Sequence, residues 1–111
     1  MGIASDIKER LPDFIDLCKN HKIGMLYAFG SSITDQYDPN SSDIDLVVEI
    51  DDENPIERGE LLLSLWDKLE IFFQRKVDLL TERSIRNPFL KKSIDSTKVL
   101  IYDGSEQKVL I

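Results

Sequence analysis

The sequence predicts a small α/β fold, a mixed β-sheet with helices packed on it. Three observations predict it. Short apolar or β-branched runs alternate with longer segments of helical periodicity, in the order α-β-α-β-α-β-α-β. The segment joining the second and third strands is a long helix, so a right-handed parallel crossover is the default arrangement for that pair. A Gly-Ser step closes the first strand, while aspartates stand near the starts of the second and third. These groups meet at one sheet edge only if the first strand runs antiparallel to the second, which makes the sheet mixed.

Ile7, Leu11, Phe14, Ile15 and Cys18 recur at spacings of three, four and seven, which is helical. Pro12 is tolerated in a first turn, so the main helix is expected from about Leu11, preceded by a looser turn and ending before Gly24. Met25 to Phe29 reads as a buried strand closed by Gly30. Ser31 to Tyr37 reads as a short helix with Ser31 or Ser32 near its N-cap. The stretch Tyr37-Asp38-Pro39-Asn40-Ser41-Ser42 is dense in turn formers and reads as loop. Asp43 to Ile50, with Ile44, Val47, Val48 and Ile50, is the clearest strand. From Ile56 to Phe73 the apolar positions 61, 62, 65, 66, 69, 72 and 73 mark a strong amphipathic helix. Lys76 to Thr81 is a third strand. Ser84 to Ile94 reads as helix, kinked or restarted at Pro88, and Val99 to Tyr102 as a last strand before the Asp103-Gly104 turn.

A chain of 111 residues holds one domain and one core, with no room for a separate substrate domain. No apolar run approaches a membrane span, and the N-terminus lacks a basic region followed by an apolar one, so neither a span nor a signal peptide is expected. A single cysteine, Cys18, excludes an internal disulfide and a cysteine zinc site and reads as a small packed residue; a cytoplasmic location is the default. Net charge is −7, from 21 acidic against 14 basic residues, and the basic ones are scattered. Non-specific nucleic-acid binding, which needs clustered Lys and Arg, is therefore not expected. An acidic surplus suits cation binding or a basic partner, although a solvated surface looks the same.

Asp43 and Asp45 stand at i and i+2 on a strand and so share a face. Adjacent carboxylates repel unless a proton or a cation lies between them, and Mg²⁺ is commonly held by one or two carboxylates plus substrate phosphates. An isolated Asp-x-Asp also fits solvated strand-end charges. Asp78 adds to it, because this charge interrupts the apolar run Val77 to Leu80, where a carboxylate is seldom buried without a partner. The parallel crossover brings Asp78 to the edge that carries Asp43 and Asp45. Gly30-Ser31 adds an anion-binding element: Gly30 lets backbone approach a phosphate, and Ser31 offers a hydroxyl at a helix start. A plain helix cap is the alternative reading of that step.

Phe29-Gly30-Ser31, followed after a loop by Ser42-Asp43-Ile44-Asp45-Leu46-Val47-Val48, resembles the Gly-Ser and Asp-x-Asp signature of the DNA polymerase β-like nucleotidyltransferase superfamily. The short chain and Arg75-Lys76-Val77-Asp78-Leu79-Leu80 resemble its minimal nucleotidyltransferase branch. The resemblance spans about Leu11 to Tyr102. It implies the polymerase β-like fold, Gly30 and Ser31 on a nucleoside triphosphate such as ATP, and Asp43, Asp45 and Asp78 as ligands of two Mg²⁺ ions. It implies in-line attack of an acceptor on the α-phosphate with loss of pyrophosphate, in the manner of a two-metal site. It further implies a partner chain as acceptor: a small helical HEPN-type protein, with this chain acting as its antitoxin by AMPylating or by masking it. Two positions depart from the pattern. Ser32 stands where many members have arginine and Asp35 where many have a second glycine, so a cation near the phosphates is missing, which weighs against strong turnover.

The remaining residues read as structural. His21 reads as a helix-end or surface residue, Trp66 as core, and Asp51, Asp52 and Glu53 as solvated charge. Tyr27 and Tyr37 flank the Gly-Ser loop and read as packing. Phe72-Phe73 and the segment Pro88 to Ile94 read as an exposed apolar flank on which a partner would dock.

Overall fold

The computed structural model describes residues 3–33 and 43–111. Helices α1 (Ala4–Glu9) and α2 (Leu11–Asn20) lead into strand β1 (Ile23–Phe29) and a 3₁₀ turn (Gly30–Ile33). Strand β2 (Ile44–Ile50), helix α3 (Pro55–Phe73) and strand β3 (Val77–Leu80) form the crossover unit. A second 3₁₀ turn (Glu82–Ser84), helix α4 (Pro88–Thr97) and strands β4 (Val99–Asp103) and β5 (Lys108–Val109) complete the chain.

The sheet order is β3-β2-β1-β4-β5. β1 is antiparallel to both β2 and β4, whereas β2 and β3 are parallel. The mixed sheet required to bring the Gly-Ser step to the aspartates is therefore the one observed. One face of the sheet carries Leu26, Ala28, Ile44, Leu46, Val48, Val77 and Leu79 against Ile7, Phe14, Leu65 and Leu69 of the first three helices. The other face carries Tyr27, Phe29, Val47 and Leu80, packed with Ile85 and with Ile94 of α4. No helix among the described residues is long and apolar enough to cross a membrane.

Several boundaries moved, each for a local reason. The looser turn before Leu11 is a helix of its own, α1, whose neighbours Ile3 and Ile7 are fully buried. Pro12 has no N–H to give residue 8 and its ring would collide with that carbonyl, so one continuous helix is interrupted at Arg10. β1 begins at Ile23 rather than Met25, because Gly24 is the extra residue of a bulge: Ile23 pairs with Ile50 and Met25 already with Glu49. Helix α3 starts at Pro55, one residue early, where Asn54 caps it by accepting from the N–H groups of Ile56 and Glu57. The segment from Ser84 is not helical up to Pro88. Pro88 holds Asn87 extended at φ −74°, ψ 117°, and Asn87 instead caps a helix that runs on to Thr97. β5 was not foreseen, since two residues are too few to show a period.

Phe72 and Phe73 are not an exposed flank. They are 5% and 3% exposed, and their rings pack with Phe14 at centroid distances of 5.4 and 6.4 Å. Arg10 closes this cluster, with its guanidinium 4.0 Å over the Phe72 ring and a hydrogen bond to the Phe72 carbonyl. The Phe14 ring of α2 covers both phenylalanines. In the segment 88–94, Phe89 and Leu90 are exposed at 84% and 47%, whereas Ile94 is buried.

His21 stands at the end of α2, the helix-end place expected of it, and is interior rather than surface. Its Nδ1–H donates to the Leu17 carbonyl at 2.8 Å, which leaves Nε2 to accept from the Ser64 hydroxyl at 2.9 Å. It thereby ties the end of α2 to α3. Cys18 is buried as expected, and burial pushes its thiol pKa up to about 12, so it is unreactive packing.

Candidate active site

β2 and β3 start at the same edge, and their register sets Asp45 directly beside Asp78. Side chains alternate along a strand, so Asp45 shares the face of Val47, and Asp78 that of Leu80. This is the face on which α4 packs. Val47 is buried there, while Asp45 and Asp78, two residues nearer the strand starts, are half-buried at its border. The Asp45 carboxyl titrates above the usual range. Burial is the main cause, followed by the negative charges of Asp78 and Asp43 and by hydrogen bonding to the Asp78 carboxyl. Asp43 precedes β2 and is exposed. It contributes its charge to Asp45 from the solvent side.

Gly30 ends β1 on the opposite side of Asp45, since Phe29 is the β1 partner of Asp45. Its φ is +64°, the left-handed region that side chains disfavour. A Cβ on Gly30 would lie 2.7 Å from Oδ2 of Asp45. Glycine is required here twice, by the backbone and by the carboxylate. Gly30→Ala should cost roughly 1–3 kcal/mol from the backbone alone and displace the Asp45 carboxylate. The measurable result is a lower melting temperature; a variant that melts as the native protein does would refute this packing.

Both carboxylate strands are fixed at their starts. β3 is an edge strand, and α3 satisfies its outward groups: Glu70 accepts from the Val77 N–H at 3.0 Å, and the Trp66 indole N–H donates to the Val77 carbonyl at 2.6 Å. Trp66, read as core from its place on the apolar stripe, is half-buried against the core and also orients the residue next to Asp78. On β2, the Ile44 N–H donates to the Lys76 carbonyl at 3.0 Å. The Asp45 N–H donates to Ser32 Oγ at 2.8 Å, and Ser32 is fully buried. No pattern in the sequence indicated these contacts, because each joins residues far apart in the chain.

The sequence-predicted residues thus divide. Gly30, Asp45 and Asp78 are brought together, Asp43 lies at the same edge, and the backbone of Ser31 lies in the turn after Gly30. The Ser31 hydroxyl, Asp35, Tyr37 and the helix expected beyond Ile33 lie outside the described residues. Among the described residues no group of three His, Cys, Asp or Glu side chains is arranged to hold a metal ion as it stands. The donor set nevertheless suits one. Asp45 and Asp78 are hard oxygen donors that repel unless a proton or cation lies between them. A concavity of about 630 Å³ occurs at the far ends of β1 and β2, lined by Lys19, Lys22, Asp51 and Asp103, and includes none of these residues.

Comparison with known proteins agrees with this geometry. The model of the nucleotidyltransferase domain family matches residues 14–101. A Methanocaldococcus jannaschii protein whose name provisionally assigns it to the protein adenylyltransferases is 36% identical over 102 residues, covering 91% of this chain and all of that protein. A crystal structure of a toxin-antitoxin with AMP-PNP is 28% identical with a TM-score of 0.56, covering 83% of this chain and 72% of that one. A minimal nucleotidyltransferase structure, 23% identical, matches in fold with a TM-score of 0.58 over 89% of this chain and 95% of that one. The chain belongs to the nucleotidyltransferase domain family.

Proposed function

We propose that this protein transfers a nucleoside monophosphate, AMP from ATP, to a hydroxyl on a partner protein, with Mg²⁺ held by Asp43, Asp45 and Asp78. The observation that carries the reading is the register pair Asp45–Asp78, which sets two carboxylates side by side with Oδ2 of Asp45 against Gly30. The name of the archaeal relative supports protein as the acceptor, and the AMP-PNP in the toxin-antitoxin structure supports an adenosine triphosphate donor.

In the reaction the acceptor oxygen forms a bond to the α-phosphorus as the bond from that phosphorus to the β-bridging oxygen breaks. Pyrophosphate leaves with the electron pair, and the hydroxyl proton passes to the carboxylate edge. The Gly30 turn, whose missing Cβ leaves room for the Asp45 carboxylate, would present its backbone to phosphate, where Ser31 contributes. Asp45 and Asp78, with Asp43 on the solvent side, would hold the cation beside the reacting end of the triphosphate. Mg²⁺ when bound neutralises phosphate charge and lowers the pKa of the attacking hydroxyl. Little covalent chemistry falls to the protein; positioning and charge dominate.

A second reading has its own observation. Ser32 occupies the position where a cation was missed, and it is wholly buried against Asp45 rather than turned to solvent. This loop position then gives the triphosphate no positive charge, which favours an antitoxin that masks a HEPN-type toxin with little transfer. Intact-mass spectrometry separates the two. With ATP, Mg²⁺ and a small helical HEPN-type protein encoded beside it, transfer adds one or more AMP masses to that partner, and Asp43→Asn adds none. A stable neutralising complex without added mass makes masking the function.

Metal alone gives a further expected outcome. Mg²⁺ or Mn²⁺ should raise the melting temperature, by mass action on the folded state, with about 2.7 kcal/mol at a hundred times Kd. Asp45→Asn should respond less. An identical metal response in the two proteins would exclude this site as the cause.

A further inference from the structure

Ser32 is the residue that this fold uses and the signature does not explain. Among the described residues the buried polar side chains are His21 and Ser32, and Ser32 is the one with no exposure at all. His21 is spent on joining two helices. Ser32 touches the carboxylate edge: its Oγ accepts the N–H of Asp45 at 2.8 Å, across thirteen positions of sequence. Its own backbone is fixed from the other side, because its carbonyl accepts the N–H of the fully buried Ile3 at 3.1 Å. The turn that carries Ser32 is thus held between α1 and β2.

The mechanical need for such a tie is visible at Asp45. Asp78 is beside it, Asp43 adds a like charge, and Oδ2 comes within 2.7 Å of the place a Cβ of Gly30 would take. The Asp45 carboxylate extends from a backbone whose place the Ser32 hydrogen bond sets, and its position beside Asp78 follows that backbone. We propose that Ser32 is a positioning residue: through its hydrogen bond to the Asp45 amide it fixes the Asp45 carboxylate for a divalent cation. This rests on the metal reading given above. Residues that orient a metal ligand typically change metal affinity by about 10–100-fold when replaced, and a buried amide left without its acceptor is itself costly.

The test uses Ser32→Ala, which removes the acceptor, and Ser32→Thr, which keeps it. Amide hydrogen exchange followed by NMR reads the hydrogen bond, and Mn²⁺ titration well below the melting temperature reads the site. In Ser32→Ala the Asp45 amide should exchange faster while those of Val47 and Val48 keep native rates, and Mn²⁺ should bind about 10–100-fold more weakly. Ser32→Thr should restore both. A purely structural serine would lower the melting temperature in its variants and leave Mn²⁺ affinity unchanged in the folded protein. Native Mn²⁺ affinity in Ser32→Ala therefore overturns the proposal, as does unchanged Asp45 exchange, or Ser32→Thr behaving like Ser32→Ala. A native protein that binds no Mn²⁺ overturns the metal reading itself, and this is seen before any variant is made.

Discussion

Asp45→Asn is expected to lower AMP transfer by at least about 100-fold, the scale of the several kcal/mol that metal-held charge contributes to such a transition state. The substitution preserves shape and removes the charge at the centre of the edge. Without metal its effect on stability has the opposite sign. The Asp45 carboxyl has a folded-state pKa above its unfolded value, so the native protein holds the proton more tightly. Native stability is then fully present below the unfolded carboxylate pKa and declines as pH rises through the folded one. Asn has no proton to lose, so metal-free Asp45→Asn should show none of Asp45's share of that decline. Denaturant titrations of the two metal-free proteins at several pH values check this; parallel curves would show that Asp45 carries no such strain.

Phe73→Ala should destabilise the fold by about 3–5 kcal/mol, a large part of the roughly 5–15 kcal/mol that a domain possesses. The ring is nearly inaccessible and lies between Phe14 and Phe72, with Phe72 at a centroid distance of 5.0 Å. The result also decides between the two roles this residue has been given. A docking residue would lose a partner and keep its denaturation midpoint, whereas a core residue loses the midpoint. Urea denaturation with an unchanged m value and a strongly lowered midpoint is the expected outcome. Phe89, at 84% exposure, provides the control: Phe89→Ala should leave the midpoint within about 0.5 kcal/mol of native.

Those two residues also show what the sequence could reveal. Long periodic or β-branched segments were legible: β2 and α3 each lie within a residue of expectation, because their patterns run for several turns or alternations. The parallel pairing of β2 with β3 followed from the length of α3, and with it the meeting of Asp45 and Asp78. The direction of β1 was inferred from where Gly30 had to go. What stayed hidden depended on contacts across the chain. Phe72 and Phe73 were misread because the covering ring, Phe14, is 58 and 59 positions away. Ser32 read as a missing cation, since nothing in Phe29-Gly30-Ser31-Ser32 says that the second hydroxyl turns inward to an amide thirteen residues on. The grip of Glu70 and Trp66 on Val77 was likewise invisible, although both fell on a well-predicted helix. α1 and β5 were too short to register as patterns.

The proposed reaction requires the carboxylate edge to bind a nucleotide together with a divalent cation. Calorimetric titration of the native protein with ATP, in the presence and absence of Mg²⁺, measures this. Binding should be clearly tighter with Mg²⁺, and the difference should largely disappear in Asp78→Asn. Equal ATP affinity with and without Mg²⁺ in the native protein would contradict it.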